Sequence, residues 1–250
     1  MKTAEIYALL DSISPFELQE GWDNSGLLVG AMDREVRRIV VALDIDEEMI
    51  ESYEEETLFL LHHPLIFSPL KSISMENYPA NIVEKLILKR DSLIAMHTNF
   101  DKTHLNRYVF RDILGLQWEK EKDFVLEAGV DWSLEELLGR LTQAFGCESF
   151  RVVNPKERIE SLALTTGAGA SLMESVEADC FLTGDIKYHD AMKAESINLM
   201  MVDIGHWESE RFFAEIIGKE LKKLPISVII AQSKNPFVTY RNIQRVAPTQ

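Results

Sequence analysis

The chain has 250 residues, 46% of them hydrophobic, enough for one large domain or two modest ones. Its formal net charge of −15 argues against a general nucleic-acid grip, which needs clustered Lys and Arg, and against docking on anionic membranes. Two cysteines, Cys147 and Cys180, lie in unrelated contexts with no CxxC spacing and read as reduced thiols. The N-terminus opens into an amphipathic pattern with no signal-peptide core, and no apolar run is long enough to span a bilayer. The expectation is a soluble, cytoplasmic protein.

In chain order, Ile6, Leu9, Leu10 and Ile13 recur at helical spacing and predict a helix over 3–13 that stops before Pro15. The β-branched run 37–44 reads as a buried strand. An acidic helix near 46–56 follows, then a strand ending at Leu61, a helix around 80–89, a strand over 92–96 and a helix from about 102 to 114 that stops near Gly115. A second series begins near Phe124, with a strand at 124–130 and a helix at 133–145. Ser133 is the expected N-cap of that helix, with Glu136 three residues on. Strands at 149–153 and 161–165 lead to the turn Gly167-Ala168-Gly169 and a helix near 171–177. Strands at 179–183 and 198–204 flank a helix near 187–195, and 226–230 supplies a late strand. The fold class is α/β with layered mixed sheets in two lobes, 1–122 and 123–250. The strand near 226–231 is free to return to the first lobe, a point periodicity does not decide.

In open α/β sheets ligands bind at the carboxyl ends of strands. His62 and His63 follow one strand, His97 and Asp101 the next, and His206 a third, with Glu210 four residues on along the same helical face. Neutral imidazole and carboxylate are ligands for zinc, manganese, iron or nickel. Five ligands that include two carboxylates suit a dinuclear site, in which ions roughly 3.5–4 Å apart share a bridge. Any one of these histidines taken alone is better read as an ordinary core or surface residue; their shared sheet edge is what favours a metal. His104 reads as exposed, and Met192, Met200 and Met201 as core filler. Gly167-Ala168-Gly169 is either a phosphate cradle at a helix N-terminus or a tight turn. Lys187, Tyr188 and His189 are either substrate-facing groups or the first turn of a solvated helix. Asn24 is assigned no chemistry.

Five segments carry a family resemblance: Trp22-Asp23-Asn24-Ser25-Gly26-Leu27, His62-His63-Pro64-Leu65-Ile66-Phe67, His97-Thr98-Asn99-Phe100-Asp101, Thr183-Gly184-Asp185-Ile186-Lys187-Tyr188-His189 and Gly205-His206-Trp207-Glu208-Ser209-Glu210. Together they resemble the Nif-three-like family, whose bacterial members commonly carry the name GTP cyclohydrolase 1 type 2. Trp207 stands where the family often has Tyr. The resemblance implies a two-lobed α/β fold, a dinuclear metal centre between the lobes and toroidal homohexamers. It also implies that His62, His63, Asp101, His206 and Glu210 are the metal ligands of two divalent ions. The implied substrate is GTP or another phosphorylated heterocycle, with water converting GTP to 7,8-dihydroneopterin triphosphate and formate. His97 and His189 are the candidate proton carriers. The alternatives are phosphoester cleavage at the same centre and a nonenzymatic metal-binding or partner-binding scaffold.

Overall fold

The computed structural model describes residues 1–238 and the backbone of 240, 241, 244 and 245; the end of the expected second lobe, residues 246–250, lies outside the described residues. Its strands are β1 (Gly26–Val29), β2 (Arg38–Ala42), β3 (Thr57–Leu61), β4 (Ser92–Ala95), β5 (Lys120–Lys122), β6 (Val125–Ser133), β7 (Arg151–Val153), β8 (Arg158–Leu164), β9 (Cys180–Thr183), β10 (Met200–Asp203), β11 (Ser227–Ile230) and the antiparallel pair β12 (Tyr240–Arg241) and β13 (Gln244–Arg245). The chain divides into two compact units. One comprises Met1–Leu105 with Phe212–Ser233, the other Asn106–Arg211 with the described part of Lys234–Gln250. Among the described residues, no helix is long and apolar enough to cross a membrane.

The first unit holds a five-stranded mixed sheet in the order β1-β4-β3-β2-β11. β4, β3, β2 and β11 run parallel, and β1 closes the other edge antiparallel to β4. β3 and β4 are buried at every position, as expected of central parallel strands covered on both faces. Val40, Phe59, Leu61 and Leu93 form one core cluster with Ile50 and with Ile82, Val83 and Leu86. The last three lie on helix α3 (Ala80–Leu88), which follows helices α1 (Thr3–Ile13) and α2 (Glu47–Glu51). The register Ala42↔Leu61↔Ala95 brings the carboxyl ends of β2, β3 and β4 level. Backbone bonds continue the alignment past the strands: the His62 and His63 amides donate to Leu43 O, and the Met96 amide to Leu61 O.

The second unit holds a six-stranded mixed sheet in the order β5-β6-β8-β9-β10-β7. β8, β9 and β10 are its parallel centre, with Leu164 paired to Leu182 and Thr183 to Asp203. Ala163, Phe181 and Met201 lie in its core with Met173, Ile186 and Ala194.

Most expected elements fall where the sequence puts them. The helix α6 (Leu134–Phe145) has the expected reciprocal cap, with the Glu136 amide donating to Ser133 Oγ and Glu136 Oε2 accepting from the Ser133 amide. It ends on Gly146 at φ +74°, where a side chain would be strained. Four expectations are corrected. The acidic helix α2 spans only Glu47–Glu51, because Ser52–Glu56 turn to enter β3. The helix expected from about 102 starts at Thr98 and mixes α-helical turns, α4 (Thr98–Phe100) and α5 (Asn106–Tyr108), with the π-helical stretches Asp101–Leu105 and Val109–Ile113. The segment near 171–177 is a 3₁₀ helix over Ala170–Ser175. Met192 is exposed on helix α7 (Tyr188–Ser196), whereas Met200 and Met201 are fully buried in β10. Sequence reading also left out β1, β5 and helix α9 (Phe213–Leu221), which follows α8 (His206–Glu210). The thiols of Cys147 and Cys180 are free, and burial pushes them up to about 11 and about 12 respectively, so neither is a reactive thiolate.

Asp91, fully buried just before β4, is where this fold carries a pH cost. Its Oδ1 accepts from the Thr57 amide at 2.8 Å, and Arg34 caps its carbonyl. Burial raises its carboxyl from 3.8 to about 6, against the lowering influence of that amide, Lys89 and Arg34; Glu55 adds to the rise. Folded and unfolded chains both hold the proton well below pH 3.8. Between that value and about 6 the folded state binds more protons, so this group's contribution to stability falls as pH rises and its full cost stands above about 6. Asp91→Asn keeps the acceptor for Thr57 but cannot ionise. Thermal melts at pH 4.5 and pH 7.5 should show the variant gaining on the wild type by roughly 2–5 °C at the higher pH. A constant difference between the two curves would contradict the assignment.

Candidate functional site

The donors of the first unit sit on the aligned carboxyl edge of β2, β3 and β4. His62 and His63 directly follow β3, His97 lies two residues beyond β4, and Asp44 two beyond β2. The ring centroids of His62, His63 and His97 are 5.0, 5.2 and 5.6 Å apart pairwise. One ligand atom from each lies within 4.8 Å of the others, close enough to hold a metal ion. Asp101 opens the first π-helical stretch, and its Oδ1 is 3.4 Å from His62 Nε2. His62 is fully buried, with the Phe213 ring 5.0 Å away.

How these histidines are held decides which nitrogen is available. His62 Nδ1 lies 2.9 Å from Met96 O, His63 Nδ1 2.8 Å from Asp44 Oδ1, and His97 Nδ1 2.9 Å from Asp23 Oδ1. A carbonyl and an ionised carboxylate only accept, so each Nδ1 carries the proton and donates. In the neutral ring Nε2 is then left with its lone pair, the form a metal requires. Asp23 is itself fully buried in its side chain. Burial favours its neutral form, but the hydrogen bond and charge of His97, with Thr98 and the Asn24 amide, outweigh this and hold the carboxyl far below the usual range.

The second unit repeats the device. His206 opens α8 after β10, and its Nδ1 lies 2.7 Å from Asp185 Oδ2, two residues beyond β9. Its Nε2 faces Glu210 Oε2 at 3.0 Å, one helical turn on. Glu210 is 2% exposed. Gly167, at φ +63°, lies against this carboxylate so closely that a Cβ there would overlap Glu210 Oε1. A cradle sized to omit a side chain and a carboxylate faced by an Nε2 suit a cation better than a folding role. The donor types and the fixed tautomers in both units therefore fit divalent metal ions.

The remaining expectations divide. Gly167-Ala168-Gly169 is a tight turn and not a phosphate cradle, since the Gly167 amide donates to Ser209 Oγ and the Gly169 amide to Thr183 Oγ1. Lys187, Tyr188 and His189 are exposed at the start of α7, where the Lys187 amide donates to Asp190. His189 stacks edge-on against Tyr188 at 5.4 Å and joins none of the donor groups. His104 is half-buried, a correction to its expected exposure, because its ring lies flat on Phe100 at 4.8 Å. Asn24 is given a role by the structure: its Nδ2 donates to Ile66 O at 2.5 Å. Sequence reading missed Asp23, Asp44 and Asp185 as histidine partners. For the last two a signal existed, a carboxylate two residues past a parallel strand whose neighbour ends in histidine.

Residues 1–236 match the family model of Duf34/NIF3, NGG1p interacting factor 3. The chain belongs to this family. It is 44% identical over 238 residues to the Campylobacter jejuni protein named GTP cyclohydrolase 1 type 2 homolog, covering 95% of this chain and 99% of that one. It is 42% identical over 235 residues to the Helicobacter pylori protein named GTP cyclohydrolase 1 type 2, covering 93% and 97%. Among solved structures, a Staphylococcus aureus hypothetical protein superposes with a TM-score of 0.83 at 27% identity, over 96% of this chain and 99% of that one. Residue matches of this extent make the two-sheet α/β fold of this NIF3 chain a family property.

Gly167 offers a test of the second donor pair that needs no substrate. Gly167→Ala forces the Glu210 carboxylate out of its position and adds strain at a positive φ. Bound metal per chain, measured by plasma mass spectrometry after dialysis against zinc or manganese, should fall as far as in Glu210→Gln, with the circular dichroism spectrum kept. Full metal content in both variants would remove the pair from the metal-binding residues.

Proposed function

We propose that this NIF3 protein is a metal-dependent hydrolase in which His62, His63, Asp101, His206 and Glu210 hold two divalent ions, and that its substrate is GTP. The reaction is GTP and water to 7,8-dihydroneopterin triphosphate and formate. The observation that carries this reading is the uniform anchoring of the histidines through Nδ1, which presents Nε2 in each unit. The names of the Campylobacter and Helicobacter relatives supply the choice of substrate. Bound ions would supply an acidified water and polarise the group it attacks.

The chain's own residues do the rest. Hydrolysis at C8 of guanine opens the imidazole ring, and each bond broken there needs a proton delivered to nitrogen. His97 is the carrier we assign, because Asp23 holds its Nδ1 and leaves Nε2 to take and give a proton. His189 is the second candidate, exposed and so able to exchange protons with water. Asp44 and Asp185 hold the rings of His63 and His206 in one orientation, so that ligand exchange does not require ring rotation. Ions held by three neutral imidazoles and two carboxylates keep a net positive charge, which would admit a triphosphate into a chain of net charge −15. A homohexamer is part of the same proposal, and light scattering tests it.

Formate release from GTP by protein loaded with zinc, manganese, iron or nickel is the decisive assay. Wild-type protein should release formate with at least one ion. Glu210→Gln and His63→Ala should lose about 100-fold or more in kcat/KM, the loss typical of a displaced metal or its orienting partner. Phosphate release without formate would replace the cyclohydrolase reading with phosphoester cleavage. Metal binding with neither product would leave a nonenzymatic scaffold.

A further inference from the structure

We propose that Trp22 and Phe67 form a stacking site for a planar, fused heteroaromatic ring beside His97; the choice of guanine as that ring rests on the cyclohydrolase reading. Both side chains are large and exposed, Trp22 at 59% and Phe67 at 51%. Their ring centroids are 5.9 Å apart with planes at 58°. Each also meets the His97 ring nearly at right angles, with centroids 6.2 Å away in both cases. Scattered apolar residues on a surface need no explanation. Two aromatic rings gathered around one histidine of the donor group do.

The pair is held by a buried scaffold. Trp22 precedes Asp23, whose carboxylate bonds His97 Nδ1, the Thr98 amide and hydroxyl, and Ser25 Oγ. Ser25 Oγ in turn accepts from the His97 amide. Phe67 follows Ile66, whose carbonyl accepts from Asn24 Nδ2. The segments carrying the two rings are thus tied to each other and to His97 through Asp23, Asn24 and Ser25. The ordering cost of the platform is met on folding and not on binding, which is what preorganisation supplies to a ligand site. This also explains why polar residues cluster in Asp23-Asn24-Ser25 beside an exposed indole.

The geometry selects the guest. A ring lying flat on one aromatic face meets the other at a tilt, the offset and edge arrangement that aromatic groups prefer. The indole presents a two-ring face, so a fused ring covers it and a single ring does not. His97 at the rim gives ring nitrogens and exocyclic groups a hydrogen-bonding partner, which favours a heteroaromatic over a hydrocarbon.

Calorimetry on metal-free protein with guanosine as probe tests the stacking alone, because guanosine has no phosphate to bring charge into the result. Guanosine should bind the wild type, and Trp22→Ala and Phe67→Ala should each weaken it by about tenfold, the usual scale of one lost base–aromatic stack. Trp22→Phe should retain most of the affinity, and cytidine should bind more weakly than guanosine. No guanosine binding by the wild type, or equal binding by all variants, overturns the proposal. So does a change in mass by light scattering in the alanine variants with guanosine binding intact, which assigns the pair to an interface between copies. In the formate assay the alanine variants should raise KM for GTP by about tenfold with kcat held. Guanosine stacking without formate from the wild type would leave the ring site and remove the cyclohydrolase; formate with unchanged KM in both alanine variants would do the reverse.

Discussion

The candidate chemistry of this NIF3 chain depends on one constraint, the level ending of parallel strands. Ala42, Leu61 and Ala95 are register partners, so the next residues of β2, β3 and β4 emerge along one line. Asp44 and His63 come from adjacent strands and meet at 2.8 Å. His62 finds the carbonyl of Met96, the residue just past the end of β4. A one-residue slip of β3 would part His63 from Asp44 and His62 from Met96 O, so both contacts depend on this register. The register therefore sets the donor geometry before any ligand arrives.

That arrangement also settles an energetic difficulty. His62 is fully buried, and a buried imidazole without partners costs on the order of 1–3 kcal/mol. Its bond to Met96 O offsets that cost while fixing the tautomer, so one contact serves both stability and ligand readiness. In His63, His97 and His206 a carboxylate takes the place of the carbonyl. The carboxylate fixes the orientation and tautomer of the ring, so the opposite nitrogen is the one turned toward a ligand or a proton. The chain thus keeps two kinds of histidine, one neutral-anchored in the core and three charge-anchored nearer water.

Much of this is readable from sequence because the signals are local. Short apolar runs ending in His62-His63 and His206 mark strand exits, and Ser133 with Glu136 marks a helix start. What escapes is whatever depends on pairing across long separations. β11 adds beside β2 across nearly the whole chain, and periodicity carries no information about that choice. β1 reads as loop because it is a four-residue run that opens on Gly26 and stops before Gly30, and only its pairing with β4 makes it a strand. Asp23 is 74 residues from His97, so its role follows from folding alone. His104 looks like an exposed helix residue until Phe100 is found stacked on it one turn back.

The second donor pair shows a different route to the same end, in which missing atoms matter as much as present ones. His206 and Glu210 are one turn apart on a five-residue helix, too short to be stable alone. Its start is held instead by close backbone packing. A Cβ on Gly184 would come within 2.7 Å of the His206 amide nitrogen, so the turn after β9 can lie against the turn after β10 only if residue 184 is glycine. The Gly184 amide donates to Gly167 O, and Gly167 in turn leaves room for the Glu210 carboxylate. Three strand exits are thus locked by backbone contacts, and the space Gly167 leaves is where the carboxylate sits. Replacing either glycine would therefore move a donor without removing one.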